Sequence, residues 1–157
     1  MTADLSLLQQ CKPEGYHESI IELKHLKMMA FIDESHLLIV TDRPMVVNCD
    51  DLAIEDIEKP LKMDFSEMLS YSSKGLANMS HFSPYGDVVS MLAPHYPMKM
   101  VVFMPLGVSC TRFPEKCFIL TECRDLIGFG FNQTGTLMVC GERNRLKIYH
   151  RQKNIEA

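Results

Sequence analysis

Short apolar runs alternate with polar turns along this chain, and the runs fall into three matching sets. Residues 26–49 read LKMMAFIDESHLLIVTDRPMVVNC, residues 76–103 read LANMSHFSPYGDVVSMLAPHYPMKMVVF, and residues 126–150 read LIGFGFNQTGTLMVCGERNRLKIYH. In each, a short apolar strand ends at a phenylalanine: Phe31, Phe82 and Phe131. A polar turn, a strongly apolar strand, a second polar turn and a third strand follow in that order. Landmarks that return at about fifty-residue intervals mark an internal repeat.

Turn chemistry supports the repeat. In SPYGD, Pro84 presets φ for one turn position, and Gly86 is free to take the positive φ that follows. In NQTGT, the Asn132 side chain bonds the backbone ahead of it, while Gly135 supplies the permissive position. IDES has no glycine, so the first copy is the weakest match. The middle strands HLLIV, DVVSML and TLMVC are apolar on both faces, as strands between stacked sheets are. The third strands alternate more, which predicts positions nearer solvent.

This succession resembles the inner hairpin of WD-repeat and related β-propeller proteins. FNQTGTLMVCGERNRLKIYH and HFSPYGDVVSML each set an aromatic, a Gly-containing turn and an apolar strand in the family's order. At the places of the family's Trp-Asp stand Tyr149-His150, Val102-Phe103 and Asn48-Cys49; the chain has no Trp, and no Gly-His pair precedes the first strand. The resemblance covers residues 26–150 in outline. It implies an all-β fold, a partial or divergent β-propeller of about three antiparallel blades, with a β-sandwich as the alternative.

Closed propellers have about four to eight blades, and open ones leave sheet edges exposed. The chain is therefore a piece of a larger ring, completes a ring with another chain, or folds as a sandwich. Within the N-terminal segment 1–25, ESIIEL at 18–23 is a candidate strand to close the last blade. VSCTRF at 108–113 and CFILTEC at 117–123 are candidate fourth strands. MDFSEMLSYSSKG at 63–75, with Asp64 as a candidate cap, reads as a short helix or a rim-crossing loop, and 151–157 as a tail.

At 157 residues, with 46% hydrophobic and 23% charged residues, the composition is that of one globular domain. No apolar run reaches the roughly 20 residues of a membrane helix, and MTADLSLLQQCKPEG lacks a basic, apolar leader. Both point to a cytoplasmic or nuclear protein with no membrane partner. In that setting the six cysteines read as buried free thiols, and the sequons at Asn78 and Asn132 carry no meaning.

Enzyme and metal signatures are absent from the sequence. There is no phosphate loop, no G-x-S-x-G elbow and no H-E-x-x-H helix. GFG at 128–130 reads as glycines that let an inner strand pack closely. No cysteines or histidines show zinc spacing, and Cys140 reads as a small core residue. No catalytic residue, metal or cofactor is expected. A cysteine nucleophile paired in space with a histidine is the enzymatic alternative.

The net charge of −4 does not favour nucleic acid in bulk, but charge is unevenly placed. On the last strand, period two sets Arg143, Arg145, Lys147, Tyr149 and Arg151 on one face and Leu146, Ile148 and His150 on the other. That basic face is either a grip for phosphates or an acidic partner, or a solvated edge strand guarded by charge. DDLAIEDIE, with Asp50, Asp51, Glu55 and Asp56, is either an acidic docking loop or a solvated connector. The twelve methionines fill core gaps or form an adaptable contact surface. The expected role is a non-catalytic protein-interaction scaffold or adaptor subunit of an intracellular complex. A nucleic-acid-associated module is the alternative.

Overall fold

A computed structural model describes residues 4–56 and 79–152 of the chain. The segment 63–75, residues 76–78 of the second repeat and the tail from 153 lie outside the described residues.

The fold is all-β, with three antiparallel sheets. The first holds β2 (Met28–Phe31), β3 (His36–Val40), β4 (Pro44–Asn48) and β5 (Ile54–Asp56) in that order. The second holds β6 (Val88–Leu92), β7 (Lys99–Met104) and β8 (Phe118–Cys123). The third, the central sheet, runs β1 (Tyr16–Glu22), β11 (Arg145–Arg151), β10 (Leu137–Glu142), β9 (Leu126–Phe131). The first strand of the chain thus pairs with the last, Glu18 opposite Tyr149 and Glu22 opposite Arg145.

Burial explains the stacking. Apolar side chains of β2, β3 and β4 (Met29, Leu37, Ile39, Val47) pack on Leu137, Val139, Leu146 and Ile148 of the central sheet. The opposite face of that sheet (Tyr16, Met138, Cys140, Tyr149) packs on Val89, Val101, Phe103 and Leu120 of the β6–β8 sheet. The central sheet is therefore covered on both sides, which is why β10 is buried along its whole length. No core cluster of described residues joins the two outer sheets. The arrangement is open, not a closed ring, and fits a partial propeller of three blades or an open sandwich.

Several expectations change. The segment 108–113 is not a strand: Phe113 N–H donates to Ser109 O, and the resulting loop sets Val108 and Cys110 against the outer face of the β6–β8 sheet. CFILTEC does supply a fourth-position strand, as β8. The third strands β7 and β11 are not near solvent, because each has a strand on both sides and a packed layer above it. In the second repeat, Ser80 and Phe82 make only single bridges, to Phe131 and Val88. Phe82 is consequently exposed, where its counterparts Phe31 and Phe131 are buried.

The three turns that follow the repeat phenylalanines meet at one end of the molecule. Asn132 is buried and spans the 132–136 turn: its Oδ1 accepts from Leu137 N–H at 3.1 Å, and its Nδ2 donates to Glu34 O at 2.8 Å. Thr134 Oγ1 donates to the Glu34 carboxylate at 2.7 Å, tying this turn to the first. On its other side, Gly135 sits at φ +75, and a Cβ there would lie 2.6 Å from Ser83 Oγ. A side chain at 135 would both strain the backbone and part it from the 83–87 turn. Asn132 is thus an internal strut, its amide committed to the fold.

Candidate interaction surface

The end of the molecule formed by these turns carries several exposed apolar side chains among the described residues, Phe82, Tyr85 and Leu106. Phe82 lies opposite Val88, and Val88 opposite Met104, so the three form one cross-strand row on the outer face of the β6–β8 sheet. Directly after β7, Leu106 takes a left-handed conformation, φ 51 and ψ 30. Its side chain lies over Gly86, the residue after Tyr85. Phe82 is 68% exposed, Leu106 77% and Tyr85 44%. A bulky residue is uncommon at positive φ, and one held there with its side chain in solvent is an outlier.

Buried polar groups fix this loop. The Leu106 N–H donates to Asp87 Oδ1 at 3.0 Å, and Tyr16 Oη donates to Asp87 Oδ2 at 2.8 Å. Burial, and then the Asp87 carboxylate, raise the Tyr16 pKa, so the phenol stays a donor at all ordinary pH. The Arg151 guanidinium lies 3.6 Å from the Tyr85 ring centre, a cation–π contact that holds the aromatic in place.

Beyond the 132–136 turn the same end becomes acidic. Asp33 and Glu34 are exposed on the first turn; Asp50 and Asp51 are exposed between β4 and β5. The two turns are joined by the bond from Cys49 N–H to Ser35 O. Burial raises the Cys49 thiol to about 12, with further contributions from Asp50 and Asp33, so both carboxylates lie close to it. Glu55 and Asp56 sit apart on β5, both exposed, and Asp56 pairs with Arg43 at 3.0 Å. Residues 57 and 58 of the acidic stretch lie outside the described residues.

The basic residues of the last strand are not a solvated edge. Strand β11 lies inside the central sheet, between β1 and β10, because the N-terminal strand covers what the sequence leaves open. Period two does divide its side chains, but between two cores: Leu146 and Ile148 face the β2–β5 sheet, and Tyr149 faces the β6–β8 sheet. Arg145 Nε binds the Glu142 carboxylate. Lys147 Nζ donates to Leu120 O at 2.7 Å. Tyr149 is fully buried; burial, and then the Glu18 carboxylate, raise its pKa. Arg143 stands in the β10–β11 turn at the opposite end of the strand from Arg151, beside His25 Nδ1 at 3.2 Å and Asp125 at 3.9 Å. It lines an open groove of about 610 Å³ with His25, Lys27, Asp42 and Asp125. The five residues therefore form no single surface.

Burial raises the thiols of Cys110, Cys117, Cys123 and Cys140, Cys117 and Cys123 each to about 11, so at neutral pH they are protonated and poor nucleophiles. Among the described residues no three of His, Cys, Asp and Glu gather as a metal site requires. None of the described helices is long and apolar enough to cross a membrane. Sequence reading missed the exposure of Phe82, taken as the end of an apolar strand, and did not single out Leu106; the folded backbone places both side chains in solvent. No family model and no curated protein matches this chain.

Proposed function

We propose that this chain is a non-catalytic interaction module: a divergent, partial propeller that serves as a scaffold or adaptor subunit of an intracellular protein complex. One observation carries this reading, the exposed Phe82, Tyr85 and Leu106 at one end of the fold, with Leu106 bonded to Asp87 and Tyr85 stacked under Arg151. A globular surface that presents bulky apolar groups on buried hydrogen bonds, and not on a loose loop, is preorganised for contact with another protein. Protonated, buried thiols support a non-catalytic role, since a cysteine enzyme needs a stabilised thiolate. Free cysteines fit a reducing compartment.

The test is affinity capture of the tagged full chain with mass spectrometry, paired with a measured molar mass. A stoichiometric protein partner is the expected result. A chain that stays monomeric and captures nothing above a control of unrelated fold overturns the reading.

A further inference from the structure

We infer that the turn end binds an extended protein segment combining bulky apolar residues with lysines or arginines. The inference rests on the interaction-module reading and deepens it by naming the chemistry of the partner. Its two parts come from two regions at the same end of the fold, linked through the 132–136 turn. The apolar part is the row Phe82–Val88–Met104 with Leu106 and Tyr85 beside it. The charged part is the set of exposed carboxylates Asp33, Glu34, Asp50 and Asp51.

The 132–136 turn joins the two parts. Gly135 packs against Ser83, Pro84 and Tyr85 on one side, and Thr134 donates to Glu34 on the other. A strand rises about 3.3 Å per residue, so an extended segment of about twelve residues is roughly 40 Å long and is the form that can touch several turns at once. Among the described residues, the cations beside Tyr16 at this end are already engaged: Arg151 is stacked on Tyr85, and Lys12 Nζ donates to Tyr16 O at 2.8 Å. An acidic segment would be repelled, and a purely apolar one would leave the carboxylates unused. Complementarity selects a basic-apolar segment.

The apolar groups act as anchors. Large side chains in a preformed setting dominate binding energy, with the surrounding contacts adding little. Leu106 is prepaid in this sense, because Asp87 and the left-handed backbone already fix it.

The experiment uses the full chain and two labelled synthetic dodecapeptides. They share leucine and phenylalanine positions, with lysine and arginine between them in one and glutamate in the other; fluorescence anisotropy reads binding. The basic peptide should bind saturably, at least about tenfold more tightly than the acidic one, and more weakly as salt rises. The double variant F82S/L106G should lose about tenfold or more in affinity. Its fold is expected to hold, since Phe82 is exposed and glycine relieves the positive φ at 106; thermal unfolding checks this. D50N/D51N keeps the residue-51 side-chain oxygen that accepts from Ala53 N–H, leaves the Asn48 cap on the residue-50 N–H in place, and should weaken only the basic peptide, with a shallower salt dependence. Equal binding of the two peptides, or full affinity in F82S/L106G, overturns the inference. If partners captured by the wild type are retained by F82S/L106G, the module reading stands and this surface is wrong; if nothing is captured, both fail.

Discussion

The Tyr16 hydroxyl donates to Asp87 Oδ2 across 2.8 Å, a buried bond between the first strand of the chain and the start of β6. The other oxygen of the same carboxylate accepts from Leu106 N–H. One side chain therefore joins the closing strand, the β6–β8 sheet and the exposed leucine.

Tyr16→Phe removes a donor and leaves Asp87 Oδ2 buried without it, which should lower stability by about 1–3 kcal/mol. Urea unfolding reads this directly. Asp87→Ala should go further and free the Leu106 amide, seen as faster hydrogen exchange at 106 than in Tyr16→Phe. Equal exchange in the two variants would mean that Asp87 does not hold the loop.

Met29 of β2 reaches across to the central sheet and fills the space beside Gly141, which is paired with Gly128. A Cβ on Gly141 would collide with the Met29 sulfur, and one on Gly128 would lie 3.3 Å from Met29 Cγ. Gly141→Ala should therefore cost about 1–3 kcal/mol by overpacking. Met29→Ala makes room, so the double variant should be more stable than the two single losses summed, a coupling that a double-mutant cycle measures. Simple additivity would show that the sulfur moves aside freely.

These glycines show how far the sequence could be read. The repeat, its turns and the close packing at 128 were legible because turn residues and apolar runs act locally. ESIIEL at 18–23, the candidate closing strand, does pair with the last strand as part of β1, but its register depends on two ends of the chain meeting and strand propensity alone does not set it. Arg145 and Lys147 looked solvent-bound because period two reports a face without saying what covers it. Leu106 was invisible, since nothing in PLGV announces a positive φ at leucine.

Arg145 and Arg143 lie two residues apart and should behave differently. Arg145 binds Glu142, whose side chain is only 11% exposed, so Arg145→Ala strands a nearly buried carboxylate and should cost about 1.5–3 kcal/mol. Arg143 meets Asp125 at 3.9 Å with both side chains half exposed, and Arg143→Ala should change stability by less than about 0.5 kcal/mol. Chemical denaturation of both variants decides the matter; a larger loss at 143 would place the structural cation in the turn and not in the strand.

The thiols predict an alkaline limit to stability. Burial raises Cys117 and Cys123 to about 11 and Cys49 to about 12, while an unfolded thiol ionises near 8.5. Above that lower value the unfolded chain releases protons that the folded chain retains, so the native state loses ground. The contribution of these thiols is complete below about pH 8.5 and declines as pH rises toward the folded values. Urea midpoints measured from pH 7 to 11 should stay level at first and then fall steadily. Replacing Cys49 by alanine should make the fall shallower, at the expense of a lower plateau from the lost packing. At pH 7 a thiol reagent should meet one rapid site, the exposed Cys11, with the buried cysteines reacting only as the fold opens. Cys11→Ser should abolish the rapid phase, and a second rapid thiol in that variant would contradict the shielding of the other five, four of them buried and Cys123 half-buried.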